Sequence, residues 1–549
     1  MPPILGALSV GLEQVPFIYE ERMRKELTRR HFLSLVGAAG GSTAILQTSL
    51  ALGLLPETGP LALADLAPVG HAKKSVLVLG AGVSGLAVAY ELERKGFDCT
   101  IIEASGRIGG RNLTLRSGDK VDEMGYAQVC EFDDEPHLYF NAGPARIPGH
   151  HKLVLHYCRE FRIPLETYVN DNRNAYTHDD QAFDGKPVRI REYVTDARGF
   201  MSELLYKAVD RNLFDQPLSA DDKERMLAFA TTYGDLKDMG RYSGSDRAGY
   251  ESGGFVEHGE LKQMHQFTEL LKSDFWRYRM HFTEGEDQAM PVMQPVGGMD
   301  NIVRAFVRNI RSPIHTNAQV QAIQLRPNGV DVVYSHKGER KKISGDWCFN
   351  CIPHHLLAGI YNNFSKAYRE TLAAMERGHL LKIGLQMNQR FWERDGIYGG
   401  ISWTSQPIEQ IWYPTHGIHA EKGVMLGAYT FREEHGRFFE RMTPEERIRS
   451  AIVQGEKIHA DYGSYVDCGV SVPWARMNHM MGCNSRWSPD LRDSKFKLMQ
   501  KPDGRHYIMG DQISYHSGWQ EGAFASAHYA MADMNERILA ESSGAMAKG

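Results

Sequence analysis

Apolar residues run without interruption through Ser75-Val76-Leu77-Val78-Leu79. A short, unbroken run of this kind predicts a strand covered on both faces, as inside a parallel sheet. From Leu86 to Lys95 the apolar positions recur at helical spacing, Gly96 stops the pattern, and Asp98 to Ile102 predicts a second strand. The pattern then recurs in pieces. A helix is expected over Ile302 to Ile310, a strand over Ile314 to Leu325, and an apolar run over Trp347 to Ile352. Near the end, a short strand Tyr507 to Met509 precedes a helix reaching about Leu539. Two long segments lie between these pieces. Residues of about 166–290 carry helical runs at Ala197 to Asn212, Ala220 to Thr231 and Glu260 to Phe282, with a glycine-rich loop at Asp246 to Gly259. Residues of about 354–480 alternate apolar and polar positions, which predicts an antiparallel sheet. At 549 residues, two or three domains interleaved in sequence are expected.

The turn after the first strand carries chemistry. Gly80-Ala81-Gly82-Val83-Ser84-Gly85 joins strand to helix, and Glu103 closes the second strand. In a βαβ unit this is the dinucleotide fingerprint. Gly80 permits the tight turn, Gly82 lacks the Cβ that would block a pyrophosphate, and Gly85 lets helix and strand approach. The N–H groups of Val83 and Ser84, at the helix N-terminus, face the phosphates. Glu103 accepts from an adenosine ribose and repels a 2′-phosphate, which disfavours NADP.

The next residues, Ala104-Ser105-Gly106-Arg107-Ile108-Gly109-Gly110-Arg111, resemble the second fingerprint of the flavin-containing amine oxidase superfamily. The resemblance implies FAD as cofactor, held here by Ala104, Arg107, Gly110 and Arg111. It also implies backbone contacts to the adenine from Val320, and to the ribityl or phosphate groups from Gly510 and Asp511 at the end of the last strand. The implied fold is α/β: a Rossmann-like FAD-binding domain (73–125, 291–355 and 481–541) with a mixed α+β substrate domain (126–165 and 356–480) and a helical insertion (166–290).

Asn141-Ala142-Gly143-Pro144-Ala145-Arg146-Ile147-Pro148-Gly149-His150-His151 is similar to a segment of the bacterial L-amino-acid oxidase subfamily. There an arginine holds the substrate carboxylate, so Arg146 is the expected substrate anchor. A guanidinium forms a bidentate, charge-assisted pair with a carboxylate. Ala145 and Arg146 are also expected to border the flavin, and the two histidines receive no role. The resemblance further implies a second carboxylate donor at Tyr413, in the strand Gln410-Ile411-Trp412-Tyr413. A one-residue register error there would hand the position to Trp412. Gly518 and Trp519 are expected to receive the substrate amine and to wall the flavin. Lys382, a lone lysine in an apolar strand, is expected to act on the flavin through water. The implied reaction is oxidative deamination of an L-amino acid to a 2-oxo acid, ammonia and hydrogen peroxide. A simple amine oxidase and an amino-acid 2-monooxygenase stay open as alternatives.

Composition narrows the rest. Lys+Arg 63 against Asp+Glu 68 gives a net charge of −5, which offers no electrostatic footprint for nucleic acid. Seven cysteines over this length form no disulfide framework, and Cys348-Phe349-Asn350-Cys351 reads as buried thiols. No local metal-ligand spacing is present, so no metal is expected. Residues 1–64 read as a leader: Thr28-Arg29-Arg30-His31-Phe32-Leu33 resembles a twin-arginine export signal, a weakly apolar run follows, and Ala62-Leu63-Ala64 is a cleavage candidate. A periplasmic or secreted protein is therefore expected, or a cytoplasmic one that keeps its leader. The expected partners are an L-amino acid and oxygen, with no membrane span in the mature chain and a homodimer as an open option.

Overall fold

The computed structural model describes residues 63–68, 74–215 and 217–546. Residues 1–62, all but the last two residues of the leader expected over 1–64, lie outside the described residues. The first strand, Ser75–Leu79, sits at the centre of a five-stranded parallel sheet. Across the sheet the order is Ile314–His315, Asp98–Ile102, Ser75–Leu79, Trp347–Asn350 and His506–Ile508. The unbroken apolar run has the predicted cause. Val76 and Val78 join one core with Leu86, Tyr157, Phe306 and Phe524, while Leu77 and Leu79 join another with Val320, Val332, Leu357 and Tyr368. Alternate side chains of one strand thus enter two cores, so neither face tolerates a polar residue.

The helices Val83–Arg94, Lys152–Glu160, Asn301–Asn309 and Gln520–Met546 supply the first core. On the other face lies a four-stranded sheet built on Ala318–Arg326, Gly329–His336 and Glu339–Gly345. The single strand expected over Ile314 to Leu325 is therefore two strands in two sheets. Asn317, at φ +53°, turns the chain between them, and Asn is among the few residues that visit this region readily.

The alternating segment forms most of a seven-stranded sheet. Its order is Val188–Arg189, Tyr176–His178, Ile401–Thr404, Gln410–Trp412, Gly423–Tyr429, Leu381–Met387 and Val466–Pro473. All neighbours pair antiparallel except Ile401–Thr404 with Tyr176–His178. The insertion first lends Tyr176–His178 and Val188–Arg189 to this sheet and then forms two long helices, Ile190–Asp210 and Ala220–Gly234. The third expected helix, Glu260 to Phe282, is not continuous. Glu260–Leu261 pairs with Tyr250–Ser252, the helix is confined to Phe267–Lys272, and two 3₁₀ segments follow. The Ser273 hydroxyl accepts from Phe275 N–H and starts a new turn, which ends the helix one residue earlier.

Residues 63–68 lie along the last helix. Ala64 N–H donates to His528 Nδ1 at 3.1 Å and Ala67 N–H to Asn535 Oδ1 at 3.1 Å, with Leu66 buried. Among the described residues, no helix is long and apolar enough to cross a membrane.

Candidate active site

A cavity of about 1100 Å³ runs from the carboxyl ends of the central strands to the wall of the seven-stranded sheet. Its first end is built by the strand-to-helix turn. Gly80 has φ +99°, a conformation that side chains resist. A Cβ on Gly82 would meet nothing within 4 Å, so that face is open to the cavity, whereas one on Gly85 would sit 2.1 Å from Gly80 O. Gly82 therefore admits a ligand and Gly85 admits the helix. No side chain caps the helix Val83–Arg94, so its first N–H groups remain for a ligand. Glu103 lies on the cavity wall and is buried; its two oxygens accept from Ala81 N–H at 2.7 Å and Ser105 N–H at 2.8 Å. Each oxygen keeps a lone pair for a ribose hydroxyl. Ala104 and Val320 complete this end.

The two arginines of the second fingerprint part ways. Arg107 turns inward, where its guanidinium donates to Gly110 O at 2.5 Å and, more weakly, to Ile108 O and Asn112 O. It is not on the cavity wall, so its expected contact to the cofactor is corrected: it holds the shape of the loop. Arg111 does reach the wall. It forms a two-pronged pair with Asp511, at 2.9 Å for Nη1 to Oδ2, and donates also to Cys483 O. Asp511 accepts in addition from Gly518 N–H at 2.8 Å, which ties the last strand's end to the next loop. Gly510 and Gly110 line the same stretch. Arg377, which no motif marked, lies beside Arg111 in this wall. Burial, and then the Arg111 charge, lower its pKa to about 9, and its Nε has no partner among the described residues. Its other two nitrogens donate to Gly482 O at 2.9 Å and Ser485 Oγ at 3.3 Å, which fixes the guanidinium in the wall as a positive charge suited to a phosphate-bearing ligand.

The far end is bounded by Ala145, Arg146, Lys382, Tyr278, Gln288, Tyr429, Phe431, Gly518 and Trp519. The loop that carries Arg146 is fixed from both sides. Trp474 Nε1–H donates to Ala142 O at 3.1 Å, and the Glu521 carboxylate accepts from Leu153 and Val154 N–H at the start of the following helix. Arg146 is 6% exposed. Its Nε donates to Gln288 Oε1 at 3.1 Å, and a second nitrogen donates to the same oxygen. Three rings surround it, Trp412 at 4.7 Å, Trp519 at 5.2 Å and Phe282 at 5.8 Å. Among the described residues, no carboxylate pairs with it within 4.0 Å. Burial accordingly pulls its pKa below the ordinary arginine value. Lys382 is also buried; its Nζ donates to Gly143 O at 2.5 Å and Asn141 O at 3.3 Å and lies 4.5 Å from the Tyr429 ring centre. Burial first, and the Arg146 charge next, lower its pKa to about 7.

Tyr413 is elsewhere. Its hydroxyl shares hydrogen bonds of 2.7 Å with Ser402 Oγ and 2.6 Å with His459 Nε2 inside the sheet's core. The expected second carboxylate donor is therefore corrected. Adjacent strand residues point to opposite faces, and the face toward Arg146 belongs to Trp412. The tyrosines on the cavity wall are Tyr278 and Tyr429. Tyr413→Phe is expected to leave kcat/KM within about twofold while costing about 1–3 kcal/mol of stability from the unsatisfied His459. Steady-state kinetics and thermal unfolding check this; a large rise in KM with unchanged stability would reinstate Tyr413 at the substrate.

The arrangement is a long cavity with a dinucleotide turn at one end and, at the other, an aromatic box around a buried cation. Residues 83–535 match the family model for flavin containing amine oxidoreductase. The chain is similar to YobN of Bacillus subtilis (strain 168), 28% identical over 489 residues, covering 82% of this chain and 93% of that one. It is similar also to the L-amino-acid oxidase of Pseudechis australis, 26% identical over 484 residues, covering 84% and 87%. Among solved structures, cyclohexylamine oxidase from Brevibacterium oxydans IH-35A superposes with a TM-score of 0.56 at 14% identity, over 85% of this chain and 100% of that one. At that identity the likeness is one of fold.

Proposed function

The chain belongs to the flavin-containing amine oxidoreductase family, with FAD as its cofactor, and from that premise we propose that it is an L-amino-acid oxidase. One observation carries the choice of substrate: Arg146 is a buried cation held by Gln288 and aromatic rings, with the Lys382 amine nearby and no carboxylate within 4.0 Å among the described residues. An uncompensated buried charge is costly unless something pairs with it. A substrate carboxylate supplies that pair, and a simple amine does not. The L-amino-acid oxidase of Pseudechis australis supports the same reading.

Arg146 takes the carboxylate in two hydrogen bonds, and Gln288 gives way to it. Trp519 and Tyr429 flank the amino acid and exclude water, and Gly518 faces the amine. When bound, FAD supplies the two-electron acceptor that removes the Cα hydrogen with its electron pair and later passes both electrons to oxygen. The amine loses a proton, the resulting imine takes up water, and 2-oxo acid and ammonia leave; oxygen gains two electrons and two protons to become hydrogen peroxide. The residues' own share is orientation, an effect that reaches on the order of 7–11 kcal/mol in well-aligned systems. Lys382 holds a mobile proton beside the reacting end.

Peroxide release across the twenty L-amino acids and a set of simple amines tests this, with product analysis. The expected result is peroxide and 2-oxo acid from amino acids and negligible turnover of amines. Preference for amines, or an amide product, would replace the reading with an amine oxidase or a monooxygenase. We propose export through the twin-arginine leader as well. The same assay on fractionated cells places the activity outside the cytoplasm if that is right and inside it if it is wrong.

A further inference from the structure

Behind the wall that carries Gln288 and Trp519, three chain segments meet at one carboxylate. His150 and His151 come from the loop after Arg146, and Asp287 from the end of the insertion, next to Gln288. Both imidazole Nε2 atoms aim at the same oxygen, Asp287 Oδ1, at 3.0 Å from His150 and 2.9 Å from His151. His516, from the loop before Trp519, adds a third imidazole with Nδ1 3.6 Å from Asp287 Oδ2. The donor atoms of His150, His151 and Asp287 all lie within 4.8 Å of one another.

We infer that His150, His151 and Asp287 form a three-ligand site for a borderline divalent cation of the zinc class, with the fourth position left to water. Two imidazoles converging on one carboxylate oxygen are more than an ion pair needs. In a tetrahedral zinc site with bonds of about 2.0–2.1 Å, donor atoms stand about 3.3 Å apart, close to the separations found here. The donor set selects the ion. Imidazole nitrogens suit zinc, copper or nickel, whereas calcium and magnesium take oxygen ligands. The His150 and Asp287 side chains are 34% and 29% exposed, which gives an ion a way in, while His151 at 2% is fixed in the protein.

The site is coupled to the substrate end. The His151 ring stands perpendicular to Trp519 at 5.0 Å, and Asp287 is bonded to Gln288, whose side chain occupies Arg146. If the cavity takes an amino acid as proposed above, its carboxylate must displace Gln288. An ion that clamps Asp287 to the loop after Arg146 opposes that movement, so it raises KM and leaves kcat nearly unchanged.

The experiment uses untagged, flavin-loaded protein stripped with a chelator, titrated with zinc(II) by calorimetry and assayed for bound metal. One zinc per chain is expected. His150→Ala should weaken binding at least tenfold and Asp287→Asn should abolish it. Zinc should raise KM for amino acids several-fold in the wild type and not in His150→Ala, whose metal-free kinetics are unchanged. Absent binding at millimolar zinc, or equal binding in wild type and His150→Ala, overturns the site and leaves a plain ion-pair cluster. Binding that depends on His150 without any change in KM overturns the coupling. Because calorimetry needs no turnover, failure of the site is distinct from failure of the amino-acid reading. His150 is partly exposed, so its variant remains informative even if Asp287→Asn does not fold.

Discussion

Arg146→Ala is expected to keep its flavin and lose about 10³-fold in kcat/KM for L-amino acids, mostly through KM, which corresponds to about 4 kcal/mol. Two charge-assisted hydrogen bonds disappear, and the substrate carboxylate is left in an aromatic box of Trp412, Trp519 and Phe282 with no charge to meet it. Lysine is a poor replacement because it offers a point charge instead of a fork. Two further results separate this from general damage. Without substrate, Arg146→Ala should unfold at the same temperature as wild type or higher, since an unpaired buried cation has been removed. The slight turnover of simple amines, which make no use of the cation, should not fall further. Unchanged KM for amino acids, or parallel losses for amines and amino acids, would remove Arg146 from substrate recognition.

The parts of the site that were readable in the sequence are those whose chemistry is local. The turn at Gly80 to Gly85 needs its glycines because a backbone angle, an open face and a close helix each demand one, and the structure shows all three needs. Lys382 stood out because a lysine in an apolar strand is seldom buried without a task, and it lies on the cavity wall. What was not readable depends on which face or which distant segment arrives. Tyr413 and Trp412 are neighbours in one strand, and composition alone does not say which of two aromatic residues points toward Arg146. Arg107 and Arg111 look alike in the fingerprint, yet the first is consumed by the carbonyl of Gly110 and the second by Asp511, 400 residues away. Gln288 sits in an insertion without any motif, and its role exists only because that loop folds back over Arg146. The histidine–aspartate cluster was invisible for the same reason. Ligand spacing along the chain gives no sign of it, since Asp287 lies 136 residues from His151.

Lys382→Met is expected to slow the oxygen half of the cycle about 10²-fold, in line with the loss of one preorganised charge, while bleaching of the flavin by amino acid proceeds at a near-normal rate. The reason is where the amine stands. Lys382 is buried beside Arg146, and the two like charges together with desolvation bring its pKa down to about 7. At pH 6 the ammonium predominates and stabilises negative charge that builds on oxygen as electrons arrive; at pH 8 the neutral amine predominates and that help is lost. Reoxidation in the wild type should therefore slow as pH rises through about 7, and the Lys382→Met profile should be flat across the same window. Arg146→Ala supplies an internal check, because removing the neighbouring cation raises the Lys382 pKa and shifts the wild-type step toward higher pH. Stopped-flow reoxidation by oxygen, recorded between pH 5.5 and 9, measures all three profiles. A step near 7 that survives in Lys382→Met would assign the titration to another group, and a slow reductive half with normal reoxidation would place Lys382 on the substrate side of the reaction.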